Sequence, residues 1–108
     1  MKLFFSFLTS LFLSTSVFAD QGISDTEILV GMHTDISGPA SMIGKQSVDG
    51  ANMRFEEFNK KGGAYGRTIK FIVEDHQYTV PRAVQASNKL LRKDKIAFML
   101  GSLGTPMN

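Results

Sequence analysis

Glu27-Ile28-Leu29-Val30-Gly31-Met32 is an apolar run of strand length. It lacks the in-out alternation of a half-exposed strand and so suits a strand covered on both faces. Immediately after it, Asp35, Ser37, Gly38 and Pro39 are turn formers that break the run. A helical pattern follows, in which Gly44, Val48, Ala51, Phe55 and Phe58 recur at spacings of three and four and fall on one stripe. Lys60 and Lys61 suit the negative end of that helix, and Gly62-Gly63 stops it. Thr68 to Asp75 (TIKFIVED) is β-branched and aromatic enough for a second strand. Pro81 then fits the first turn of a second helix, whose inward face is expected to carry Val84, Ser87 and Leu91, with Ala83 and Leu90 beside them. Ile96 to Leu100 predicts a third buried strand. Strand, helix, strand, helix, strand predicts an α/β fold, a parallel sheet with right-handed helical crossovers (βαβαβ). In such sheets ligands bind beyond the carboxyl ends of the strands, which here are the segments 32–44, 75–81 and 101–108.

Upstream of the first strand, residues 1–19 have the pattern of a signal peptide. Lys2 gives a positive start, Leu3 to Phe18 is apolar but diluted by serine and threonine, and Val17 and Ala19 occupy the positions where a signal peptidase needs small side chains. The run is shorter and richer in hydroxyls than the roughly 20 apolar residues of a membrane-spanning helix. Cleavage after Ala19 and export to the periplasm are therefore expected, with residues 20–108 as the mature part. Among the 108 residues there is no cysteine, which excludes disulfides, zinc-thiolate sites, cysteine nucleophiles and a lipid anchor at the junction. A formal charge of +2 with no basic run interleaved with aromatics argues against nucleic acid as a partner. The cluster Lys89, Arg92, Lys93 and Lys95 reads as a solvated helix face. The sequence stops at Gly101-Ser102-Leu103-Gly104-Thr105-Pro106-Met107-Asn108, a loop opening toward a further helix, so an incomplete domain that folds poorly by itself is expected.

That last segment is also the most informative for function. A glycine-rich, hydroxyl-bearing loop opening a helix offers free N–H groups to a carboxylate or phosphate. Thr105 can either cap that helix, with Pro106 at its first position, or reach a ligand. Ser37-Gly38-Pro39 can be a binding loop or only a turn. His33 and His76 have no second ligand at metal-binding spacing, and Asp35, Asp75 and His76 accompany no nucleophile, so neither a metal nor a catalytic site is expected. No G-x-G-x-x-G follows the first strand, which argues against a dinucleotide, and no cofactor is expected.

Taken in order, Ile36-Ser37-Gly38-Pro39 with Gly44, Gly62-Gly63 with Gly66-Arg67, Glu74-Asp75, Pro81-Arg82-Ala83-Val84 and the segment from Gly101 onward resemble the branched-chain amino-acid/amide-type substrate-binding proteins of ABC transporters. The resemblance spans essentially all of residues 20–108. It implies that those residues form an incomplete N-terminal lobe, the first of two, in a type I periplasmic-binding-protein fold. It also implies capture of a small organic acid or amino acid, delivery to an inner-membrane ABC permease, and no catalysed reaction. By position, Ser102, Leu103, Gly104 and Thr105 would hold the ligand carboxylate through backbone N–H and hydroxyl groups, while Ile43 would cover the ligand. Amino-acid binders of the family often have an aromatic where Ile43 stands, and the Gly-Thr-Pro form of the later loop resembles relatives that take other small organic acids, aromatic ones included. A sensor or receptor lobe and an exported α/β enzyme are the alternative readings.

Overall fold

The computed structural model describes residues 20–108; the expected signal peptide and its junction after Ala19 lie outside the described residues. Strand β1 (Glu27–Thr34) is the centre of a three-stranded sheet in the order β2-β1-β3. Strand β2 (Thr68–Asp75) pairs with it in parallel along its whole length, from Glu27 opposite Thr68 to Thr34 opposite Asp75. Strand β3 (Phe98–Met99) pairs with it in parallel on the other side, Val30 opposite Phe98 and Gly31 opposite Met99. The strand is paired on both edges, and from Val30 onward consecutive residues are buried, so both of its faces are covered there, as its unbroken apolar run requires. Burial continues past that run into His33 and Thr34, two polar residues that carry the strand up to the functional end of the sheet.

Helix α1 (Ser41–Lys60) packs on β2, and its expected stripe is the face turned inward: Gly44 is buried while Val48, Ala51, Phe55 and Phe58 are partly buried. Phe55 meets Phe71 of β2 edge-to-face, ring centroids 5.1 Å apart. Gly44 is dictated by proximity, because a Cβ there would stand 1.8 Å from the Asp35 carbonyl oxygen. The helix ends in a Schellman motif: Gly62 N–H donates to Asn59 O and Gly63 N–H to Phe58 O, both at 3.0 Å, with Gly62 at φ +102. From the last turn Asn59 reaches the outer edge of β2 and satisfies both backbone groups of Ile69, donating to its carbonyl at 2.9 Å and accepting from its N–H at 2.8 Å. One side chain thus stands in for a missing strand at that position.

Helix α2 (Val80–Asn88) continues into a π-helical turn, Lys89–Lys93, closed by Asp94 N–H donating to Lys89 O at 2.9 Å. Its inward face matches the expected one at Ala83 and Leu90 and differs from it at Val84 and Leu91. Ala83, Ala86 and Leu90 are buried, whereas Val84 and Leu91 are about half exposed. Small alanines let the helix lie close to the sheet, and Leu90 completes that stripe, which leaves Val84 and Leu91 on the flank of the helix. The basic cluster is not uniformly solvated either, because Lys89 Nζ bonds both Glu74 at the end of β2 and Asp94 beyond the π turn. Those two carboxylates, Asp94 first, raise the Lys89 pKa above its ordinary value. The third strand is shorter than expected and less covered. Ile96 is buried, but Phe98 is 49% exposed. Ala97 N–H to Leu29 O (2.8 Å) and Leu100 N–H to Gly31 O (2.7 Å) still carry the ladder beyond the two assigned residues.

Candidate functional site

Three segments leave the carboxyl ends of the strands: 35–40 after β1, 76–79 after β2 and 100–108 after β3. The first is shaped by Asp35, which is fully buried. Its carboxylate accepts from Gly38 N–H at 2.5 Å and Ala40 N–H at 2.7 Å, so the acid is used in folding its own turn. Asp75, at the end of β2, ties the first segment to the second. It accepts from Ile36 N–H (3.0 Å), Ser37 Oγ (2.5 Å) and Gln77 N–H (2.9 Å). Burial pushes the Asp75 carboxyl up, and these hydrogen bonds more than offset it, leaving its pKa below the ordinary value. The Ser37-Gly38-Pro39 segment is therefore a braced turn, with the Ser37 hydroxyl already committed to Asp75.

His76 ties the second segment to the third. It is fully buried, its Nδ1 accepts from Tyr78 N–H at 3.0 Å, and its Nε2 lies 2.9 Å from Leu103 O. With Nδ1 accepting, the ring proton sits on Nε2 and donates to that carbonyl. Gln77 and Tyr78 have positive φ (+50 and +57), an arrangement that L side chains rarely adopt and that folds Tyr78 N–H back onto the imidazole. His33 lies beside His76 with ring centroids 5.4 Å apart, and its Nδ1 is buried without a partner. Burial, and secondarily His76, hold the His33 pKa below its ordinary value.

The expected ligand-binding residues are placed as follows. The Ser102 hydroxyl is buried and unpartnered. Leu103 directs its carbonyl to His76, and Gly104 adopts φ +107, where a Cβ would stand 2.1 Å from Met107 Cε. Met107 is buried beneath the loop. Asn108 Nδ2 donates to Gly104 O at 2.9 Å and to Ser102 O at 3.3 Å. Thr105 is exposed and opens a three-residue 3₁₀ turn, Thr105–Met107. The N-cap is Gly104, not Thr105, no side chain caps the turn, and Pro106 is its second residue. Ser102 to Thr105 are thus gathered in one braced loop, whereas Ile43 stands 54% exposed in the first turn of α1. Among the described residues no hydrogen bond joins Ile43 to that loop. The bracing by Asp75 and His76 is not legible in the sequence, where Asp75 stands out only as part of the Glu74-Asp75 motif and both residues only as weak acid–base or metal candidates. Among the described residues no group of three or more His, Asp or Glu side chains could hold a metal.

A parallel α/β unit with its loops braced together at the carboxyl ends of the strands is part of a type I periplasmic-binding-protein domain, as its match to solved structures of that kind bears out. Residues 27–107 match the family described as Periplasmic binding protein, and the chain belongs to that family. It is 30% identical over 94 residues to the Leu/Ile/Val-binding protein BraC3 of Rhizobium johnstonii, which covers 87% of this chain and 25% of the relative. Among solved structures it resembles a fatty acid ABC transporter substrate-binding protein from Thermomonospora curvata, with TM-score 0.73, 33% identity, 81% of this chain and 22% of the other covered. It also resembles a possible leucine/isoleucine/valine-binding protein from Rhodopirellula baltica SH 1, with TM-score 0.73, 26% identity, 85% of this chain and 24% of the other covered. The chain spans about a quarter of the length of the curated relatives it matches.

Proposed function

We propose that this chain supplies the beginning of the first lobe of a periplasmic solute-binding protein that serves an ABC importer. The solute is a small carboxylate with an apolar body. The protein captures it and passes it to an inner-membrane permease without catalysing a reaction. Residues 1–19 direct export and are removed in the course of it. Ser102, Leu103, Gly104 and Thr105 receive the carboxylate, and Ile43 covers the apolar part.

The observation that carries this reading is the His76–Leu103 hydrogen bond, which holds the glycine-rich loop at the carboxyl end of the sheet, where ligands of parallel α/β sheets bind. The relatives support the ligand class. One is named for leucine, isoleucine and valine and another for fatty acid, and what those molecules share is a carboxylate on an aliphatic body. The ammonium of an amino acid would call for a free carboxylate. Asp35 and Asp75 are both engaged by backbone N–H groups, so this part of the site favours the acid end.

The test is calorimetric titration of the full-length periplasmic protein with leucine, valine, octanoate and benzoate, each beside its neutral amide. At least one acid should bind at micromolar concentration or below, and its amide much more weakly. Binding of none of the acids, or equal binding of acid and amide, overturns the reading. Mass spectrometry of the same material should find Asp20 at the N-terminus; a retained Met1 would overturn the export assignment.

A further inference from the structure

We propose that His76 is a positioning residue that sets the polarity of the Leu103–Gly104 peptide and so presents the Gly104 N–H to the bound solute. The inference rests on the carboxylate reading above and adds to it the residue that orients the donor. In a trans peptide the C=O and N–H point in opposite directions. The Leu103 carbonyl is drawn inward to the buried imidazole at 2.9 Å, so the N–H of Gly104 is turned the other way. Among the described residues that N–H donates to no acceptor, and the N–H groups of Ser102, Leu103 and Thr105 beside it are likewise unpaired, while Asn108 Nδ2 braces the loop through the Ser102 and Gly104 carbonyls. Gly104 is at φ +107, a conformation strained for any side chain, so the peptide holds this orientation only with glycine there.

The imidazole in turn is prevented from reversing its roles. Tyr78 N–H donates to Nδ1 at 3.0 Å, which leaves Nε2 as the protonated nitrogen. With the tautomer fixed, a peptide flip would set the Gly104 N–H against the Nε2–H of His76 and leave both donors without an acceptor. The backbone twist at Gln77 and Tyr78, both at positive φ, serves this purpose, since it brings the Tyr78 N–H onto the ring. No other described side chain is hydrogen-bonded to Leu103 O, so His76 is the side chain that fixes which way this peptide faces.

His76→Phe keeps an aromatic ring but removes both ring nitrogens, and His76→Gln restores a donor near the Nε2 position. In the full-length protein, with leucine and octanoate as probes, Phe should weaken the better-bound probe by roughly tenfold, the worth of one hydrogen bond to a charged group. Gln should recover most of that affinity. Titrations are run well below the melting temperature of each variant, so a loss of stability alone does not move the result. Should the Phe variant fail to fold, the parent protein decides. Long-range ¹⁵N–¹H spectra should show His76 protonated at Nε2, and the Gly104 amide resonance should shift on adding the bound probe. Unchanged affinity in the Phe variant, an Nδ1–H tautomer, or a Gly104 amide indifferent to a probe that binds would each overturn the proposal. If the parent binds neither probe, the solute assignment fails by itself, while the tautomer still decides whether His76 orients the peptide.

Discussion

Thr105 shows how a single residue divides between two roles. In sequence it is as good a helix cap as a ligand donor, and only the fold separates the two. Gly104 takes the cap position, and the Thr105 side chain makes no capping bond while its residue stays exposed. Thr105→Val should therefore leave the melting temperature of the full-length protein nearly unchanged, since exposed substitutions without such a bond stay within about 0.5 kcal/mol. If the hydroxyl meets the carboxylate, affinity for the bound acid should fall roughly tenfold, because a charge-assisted hydrogen bond is worth about 1.5–3 kcal/mol. Titration and melting of the Val and Ser variants check both halves, with Ser retaining affinity. A Val variant that binds as tightly as the parent removes Thr105 from the site. Asp75 and His76 are the opposite case. Their partners lie 38 and 39 residues away for Asp75 and 27 away for His76, and local spacing holds no trace of such long-range bonds.

At the scale of elements, the order and direction of the chain were legible because each rests on local chemistry. The apolar run of β1, the glycine stop after α1 and Pro81 at the start of α2 all act within a few residues, and all are found where expected. The inward face of α2 was legible only in part: Ala83 and Leu90 were expected on it and are buried, but Val84-Ser87-Leu91 and Ala83-Ala86-Leu90 are both acceptable helical stripes. Side-chain size favours the first, and closeness to the sheet selects the second. The consequence is measurable in the full-length protein. Ala86→Leu forces bulk into the helix–sheet contact and should cost about 1–3 kcal/mol, while Val84→Thr should change stability by less than about 0.5 kcal/mol. Chemical denaturation of both variants checks the order, and a larger loss at Val84 would restore the stripe first read from the sequence. The third strand was legible in place but not in cover, since burial of Phe98 depends on what lies beyond β3, and sequence periodicity cannot report that.

At the scale of the whole molecule, the braced loops and the folding equilibrium meet at the histidine pair behind them. His33 is 4% exposed, and its Nδ1 has no partner, so an imidazolium there would bury an N–H with nothing to receive it. Burial accordingly lowers its folded pKa below the ordinary 6.5, with His76 adding to the shift. The unfolded chain then binds the proton more readily than the folded one. Stability attributable to His33 is complete above about pH 6.5 and is lost as the pH falls from there toward the lower folded value. One proton contributes a slope of at most about 1.4 kcal/mol per pH unit. Asp75 works in a separate window: its folded pKa lies below the ordinary 3.8, so its contribution is present above that pH and is lost only in stronger acid. Melting of the full-length protein between pH 8 and 5 should therefore show a decline that begins near pH 6.5. His33→Phe, which removes the titrating ring nitrogens and keeps a ring in the buried space, should flatten that decline while leaving the loss below pH 4 in place. A decline equally steep in the Phe variant would assign the acid sensitivity to another group and leave His33 as packing alone.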